Sequence, residues 1–101
     1  MRDLPIIQSI LLATLLALSA PLARADAVSE AQSAIMKGKY ERAVDLLHPA
    51  AAAGDAKAQY VLGNMYRSGW GVREDARSAA LCYQRSAAQG HVDAQYSLGE
   101  L

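Results

Sequence analysis

The sequence predicts an all-α fold, a short α/α solenoid of antiparallel helix pairs, and three observations predict it. First, the chain matches itself at a shift of 36 residues: Ala51–Met65 (AAAGDAKAQYVLGNM) lies over Ala87–Leu101 (AAQGHVDAQYSLGEL), with eight of the 15 positions identical. A period in the twenties to fifties is the signature of stacked supersecondary units. Second, apolar residues recur on one side of a helical wheel in successive segments. Third, 21 of the 101 residues are Ala, with one Trp and no Phe. That composition suits helices packed closely together and lacks the β-branched and aromatic bulk of a sandwich or barrel.

The elements follow in order along the chain. Met1–Pro5 carries Arg2 and Asp3, and Ile6–Leu18 is an apolar run of 13 residues broken only by Gln8, Ser9 and Thr14. Small residues, Pro21 and the A-x-A pattern Ala23-Arg24-Ala25 come next. This is the layout of a secretory signal peptide, and the run is shorter than the roughly 20 residues of a spanning helix. The expectation is therefore a signal peptide over residues 1–25, cleaved near Ala25, with no stable membrane span afterwards. A helical repeat domain over residues 26–101 remains, with eight basic and nine acidic residues. Such a balance offers no cationic surface for nucleic acid or for a polybasic membrane contact.

The first helix pair is expected over about 27–53. A weaker helix, closed by Gly38, precedes one whose apolar positions are Tyr40, Ala43, Val44, Leu47 and Ala51. The second pair is expected over 56–90. Ala58, Val61, Leu62, Met65 and Tyr66 form its first stripe; Ala76, Ala79, Ala80, Tyr83 and Ala87 form its second. Asp75 is placed to N-cap the second of these helices, and Gly54 and Gly90 stand where left-handed residues end a helix. Ser68-Gly69-Trp70-Gly71 reads as the turn between them. A partial third repeat occupies 92–101, so the array is expected to be a short, truncated one. Self-association through the open end of the solenoid is then a second mode of partnering.

These residues resemble the Sel1-like repeat family, a relative of the tetratricopeptide repeats. The family pattern runs Ala-x-x-x-Leu-Gly-x-x-Tyr, a Gly-x-Gly-Val turn, Asp, a helix with Ala and an aromatic, then Ala-Ala-x-Gly. Here it reads Ala58, Leu62-Gly63, Tyr66, Gly69-Trp70-Gly71-Val72, Asp75, Ala79, Tyr83 and Ala87-Ala88-Gln89-Gly90. The resemblance covers one complete repeat, Ala56 to Gly90, and the start of another at Val92. The first pair departs from it: Gly38-Lys39-Tyr40-Glu41-Arg42-Ala43 looks more like a tetratricopeptide turn, and no Leu-Gly-x-x-Tyr lies upstream. Ala58, Leu62, Gly63, Tyr66, Gly69, Gly71, Asp75, Ala79, Tyr83, Ala87 and Gly90 are read as structural repeat positions. At Gly63 the missing side chain lets a facing helix approach.

The inventory of chemistry is sparse. Neither His48 nor His91 has a Cys or carboxylate three or four residues further along its helix, so no metal site is expected. Cys82 reads as a half-buried thiol, with pairing to another chain as the alternative in an oxidising compartment. Some Sel1-like proteins are associated with β-lactam hydrolysis or binding, which makes a small hydrolase the alternative function. No Ser is followed by Lys three residues on, there is no Lys-Thr-Gly, and no P-loop or dinucleotide-binding turn is present. No catalytic or cofactor-binding residues are assigned, and the chain is expected not to be an enzyme.

What remains is surface. In a helix-pair solenoid the first helix of each pair lines the inner curve. Off the apolar stripe these helices carry Lys57, Tyr60, Asn64 and Arg67, then Asp93, Tyr96 and Glu100. Tyr and Arg are favoured interface anchors, and these seven form the candidate protein-binding face. The competing reading makes the charges a solvated surface and packs the tyrosines between repeats. The expected function is an exported, non-enzymatic repeat module, periplasmic or secreted, that binds another protein or scaffolds an envelope complex. The remaining alternative is a solenoid fragment with no activity of its own.

Overall fold

A computed structural model of the chain describes residues 26–101, so the targeting segment predicted over residues 1–25 lies outside the described residues. Among the described residues five helices follow one another: α1 over residues 26–36, α2 Tyr40–Ala52, α3 Ala56–Ser68, α4 Ala76–Ala88 and α5 Val92–Glu100. Among the described residues there is no strand. No helix there is long and apolar enough to cross a membrane. Each helix packs on its neighbours in sequence, α2 on α3, α3 on α4 and α4 on α5, which is the adjacency of a solenoid.

The helix ends are set by short-range chemistry. Asp55 precedes α3 with extended backbone, and its carboxylate accepts from the Ala58 amide at 2.9 Å. Asp75 does the same for α4, accepting from the amides of Arg77 and Ser78. Each side chain satisfies an amide that has no partner inside the helix. At the other ends, α2 and α4 close in one motif. Gly54 donates to Ala51 and Asp55 to Ala50, while Gly90 donates to Ala87 and His91 to Ser86. Both glycines have left-handed φ, +101° and +89°, the residue type that this paired closure favours. Pro49 lies inside α2, one turn from its end and exposed. There the lost amide costs one hydrogen bond rather than the helix.

The core is built mostly from small residues. Val28, Ala31 and Ala34 of α1 meet Ala43, Val44, Leu47 and Ala50 of α2 and Ala58, Leu62 and Met65 of α3. Ala79 and Tyr83 of α4 and Ala94 of α5 are also buried. Small side chains bring helix axes close, and Leu47, Met65 and one still larger residue fill the remaining space. Tyr83 is that residue, fully buried with its ring against Gly63: a Cβ built there would stand 2.7 Å from Tyr83 Cε1. A second close approach ties the loop after α3 to α2. A Cβ on Gly71 would stand 2.6 Å from the carbonyl of Tyr40, and Trp70 stacks on the Tyr40 ring at 5.3 Å.

Polar side chains stitch adjacent repeats with the same period as the sequence. Gln59 donates to the Ala51 carbonyl at 3.1 Å, and Gln95, 36 residues on, donates to the Ala87 carbonyl at 3.3 Å. Ser86 donates to the Ala56 carbonyl at 2.7 Å, and Gln89 to Gln59 at 2.9 Å. Among the described residues no buried side-chain nitrogen or oxygen lacks a partner. Unmet buried polar groups cost more than a made bond contributes, so these bonds hold the spacing between repeats.

Candidate protein-binding face

The seven residues read from the sequence do not behave as one surface. On α3, Asn64 is committed inward: its Oδ1 accepts the Tyr83 hydroxyl at 2.6 Å. Tyr60 is half-buried, with its ring 6.0 Å from that of Tyr83 and 4.8 Å from that of His91. This tyrosine packs between repeats, as the competing reading has it. Tyr96, its equivalent 36 residues on, is 71% exposed. Arg67 and Glu100, read as parts of a basic and an acidic pair, meet at 3.6 Å. Lys57 and Asp93 are exposed and take part in none of these contacts.

Electrostatics joins the inner members. Burial pushes the Tyr83 phenol up, against a smaller lowering pull from Arg67. The Glu100 carboxylate beside Tyr96 also holds that phenol above its usual value, again opposed by Arg67. Arg67 therefore sits among Tyr83, Tyr96 and Glu100, linking α3, α4 and α5. A guanidinium suits that place because its planar fork presents several donors at once to oxygens on different helices.

Beside this cluster lies a groove the sequence reading did not assemble. It runs between α1 and α3, encloses about 460 Å³, and is lined by Gln32, Ile35, Met36, Tyr60, Val61, Asn64, Met65 and Trp70. None of these side chains is charged. Met36 is 89% exposed and Trp70 44%, so two large apolar side chains stand in water at its rim. Sequence signals existed for both: Met36 falls off the apolar stripe of α1, and Trp70 occupies the variable position between two turn glycines. What could not be read was that the turn after α3 brings Trp70 to the same groove as the last turn of α1.

The opposite side of the array gathers His48, Tyr66 and Cys82 about a smaller pocket of about 180 Å³. His48 Nε2 and the Tyr66 hydroxyl share a hydrogen bond at 3.3 Å. Burial pushes the Cys82 thiol up, and so lowers the thiolate fraction on which reactivity depends. Burial, with Cys82 and Asp75 nearby, also raises the Tyr66 phenol. No group of three or more metal-ligating side chains occurs among the described residues. Of the serines, Ser78 donates to Asp75 at 2.7 Å and Ser86 to a backbone carbonyl. Both hydroxyls have structural partners.

Comparison with known proteins places this geometry. The family model described as Sel1 repeat matches residues 32–55 and 56–91. The first match takes in the pair that departs from the family pattern at its turn, so this pair is also a repeat of the same kind and the resemblance is wider than the quoted motif. Over 61 residues, 60% of this chain, the sequence is 39% identical to the rat protein called DAP3-binding cell death enhancer 1 and 38% identical to its mouse counterpart. The chain spans 12% of the length of each. No solved structure matches significantly. Sel1 repeats generally mediate contacts between proteins, and the name of these relatives describes binding to another protein.

Proposed function

The chain belongs to the Sel1 repeat family, and from that premise we propose that it is an exported, non-enzymatic module that binds a peptide segment of another protein in the groove between α1 and α3. The observation that carries this is the uncharged lining with Met36 and Trp70 exposed at its rim. An apolar side chain entering the groove leaves no charge desolvated. Burying it contributes roughly 1.5–3 kcal/mol, and Met is well suited to moulding itself around a partner. The amides of Gln32 and Asn64 supply what a peptide main chain needs. With its oxygen taken by Tyr83, Asn64 has its NH2 left to donate to a carbonyl. Lys57, Tyr96 and Asp93 then form the polar margin of the face, and Arg67 with Glu100 closes one end. Export rests on the pattern of residues 1–25, and scaffolding of an envelope complex is the cellular role that fits both.

The test is a binding isotherm. A partner captured from the exported fraction is titrated against the purified chain and against Met36→Glu, which changes one almost fully exposed side chain and leaves helical circular dichroism unaltered. The expected result is at least about a tenfold loss of affinity. Equal affinity for the two would remove the groove from consideration. Intact mass of the protein recovered from that fraction is expected to correspond to a chain beginning at Asp26; a retained Met1 would contradict cleavage.

A further inference from the structure

Repeat equivalence pairs Asp55 with His91, 36 residues apart, and both do the same work. The Asp55 carboxylate accepts from the Ala58 amide at 2.9 Å, and His91 Nδ1 accepts from the Ala94 amide at 3.3 Å. The chemistry of the two caps differs. A carboxylate near neutrality always has lone pairs to offer. The imidazole accepts at Nδ1 only while its single ring proton sits on Nε2. We propose that His91 is a proton-operated latch on α5: the neutral ring holds the start of this helix, and the imidazolium releases it.

A second proton goes to Nδ1, the ring's one available lone pair, and leaves no acceptor in any ring orientation. It also sets a positive charge against the positive end of the helix dipole. Ala94 is fully buried, so its amide cannot simply turn to water, and the first turn of α5 must open to satisfy it. With only nine residues, α5 is too short to persist on propensity alone.

The groups facing His91 do not restore the bond. From α3, the Tyr60 ring lies 4.8 Å away, and Lys57 stands one turn earlier on the same side of that helix. Tyr60 attracts an imidazolium but offers nothing to the Ala94 amide. Lys57 opposes the added charge, whereas Asp93 in the first turn of α5 favours it; both are exposed and screened by water. Arg85, the charged residue in the last turn of α4, lines the opposite pocket beside Cys82. Release of α5 would carry Tyr96 and Glu100 away from Arg67 and uncover Tyr60. The latch thus regulates the face proposed above; its consequence rests on that reading, but its mechanism does not.

The experiment is amide hydrogen exchange on the full chain at about pH 7.5 and about pH 5. Exchange is corrected for its intrinsic pH dependence, and α4 amides serve as the internal reference. In the wild type, protection of α5 relative to α4 should fall about five- to tenfold at the lower pH. His91→Asn, which keeps an acceptor that does not titrate, should hold its protection at both. His91→Ala should be poorly protected at both, and His48→Gln should respond like the wild type. Unchanged α5 protection in the wild type, or an equal fall in His91→Asn, would overturn the latch. Because no partner is present, Met36→Glu binding undiminished while α5 still responds would discard the groove and keep the latch.

Discussion

The repeat from Ala56 to Gly90 and the one that begins at Val92 share residues at equivalent positions, Ala58/Ala94, Gln59/Gln95, Tyr60/Tyr96, Leu62/Leu98 and Gly63/Gly99, yet those residues have different surroundings. Gly63 receives the ring of Tyr83, whereas at Gly99 a Cβ would meet nothing within 4 Å. Tyr60 is held between Tyr83 and His91, while Tyr96 stands in solvent. Gln59 and Gln95 make the same backward bond to the preceding repeat. The lesson is directional. Contacts toward the previous repeat depend on the residue and are reproduced each period. Contacts toward the next depend on the helix found there, and they decide whether a position is architecture or surface.

The sharpest way to break this comparison is to add one methyl group in each place. Gly63→Ala drives a Cβ to 2.7 Å from Tyr83 Cε1 and 3.2 Å from Cys82 Cβ. Tyr83 is fully enclosed and anchored through its hydroxyl on Asn64, so the ring has nowhere to go. A loss of about 1–3 kcal/mol is expected from overpacking, partly offset by the gain in helix propensity. Gly99→Ala meets no obstacle and should be neutral or stabilise by at most about 1 kcal/mol. Urea unfolding followed by circular dichroism reads both. Equal effects would mean that the α3–α4 contact is not as tight as described.

A middle-sized contrast separates the two tyrosines. Tyr60→Ala removes a half-buried ring from two aromatic neighbours, and about 1–2 kcal/mol should be lost with them. Tyr96→Ala removes a mostly exposed ring and should stay within about 0.5 kcal/mol. If Tyr96→Ala proved the costlier in the thermal midpoint, α5 would have to be holding the array together through its outer side.

How much of this was legible beforehand follows the same division. The five helices, the Asp75 cap, the left-handed glycines and the close approach at Gly63 are all local or periodic, and stripe spacing and turn chemistry carry them. The groove was not legible, because it joins Met36 to Trp70 across 34 positions through a loop whose path depends on Gly71 pressing against Tyr40. The candidate face was only partly legible for a related reason. Helical spacing alone puts Tyr60, Asn64 and Arg67 on one stripe of α3. It does not reveal that α4 turns Tyr83 toward that stripe and engages Asn64. His91 was legible as a turn residue but not as a cap, since histidine is not among the residues that usually cap helices.

The smallest expected effect concerns the ion pair that crosses from the enclosed repeat to the next. Arg67 and Glu100 are 3.6 Å apart and about two-fifths exposed, 41% and 42%. At that exposure water screens much of the attraction and two long side chains lose freedom, so a coupling of about 0.2–1 kcal/mol is the reasonable range. A double-mutant cycle with Arg67→Met and Glu100→Gln isolates it, and about 1 M salt should shrink the coupling toward zero. The two single variants should not be equal. Arg67 also lies beside the buried Tyr83 hydroxyl, a contact that Glu100 lacks, so Arg67→Met should cost more than Glu100→Gln. The excess should survive high salt, because it belongs to the sheltered α3–α4 contact and not to the exposed pair. Two equal single-variant losses, both abolished by salt, would place Arg67 wholly on the surface and move the boundary between architecture and exposed face inward to Tyr83.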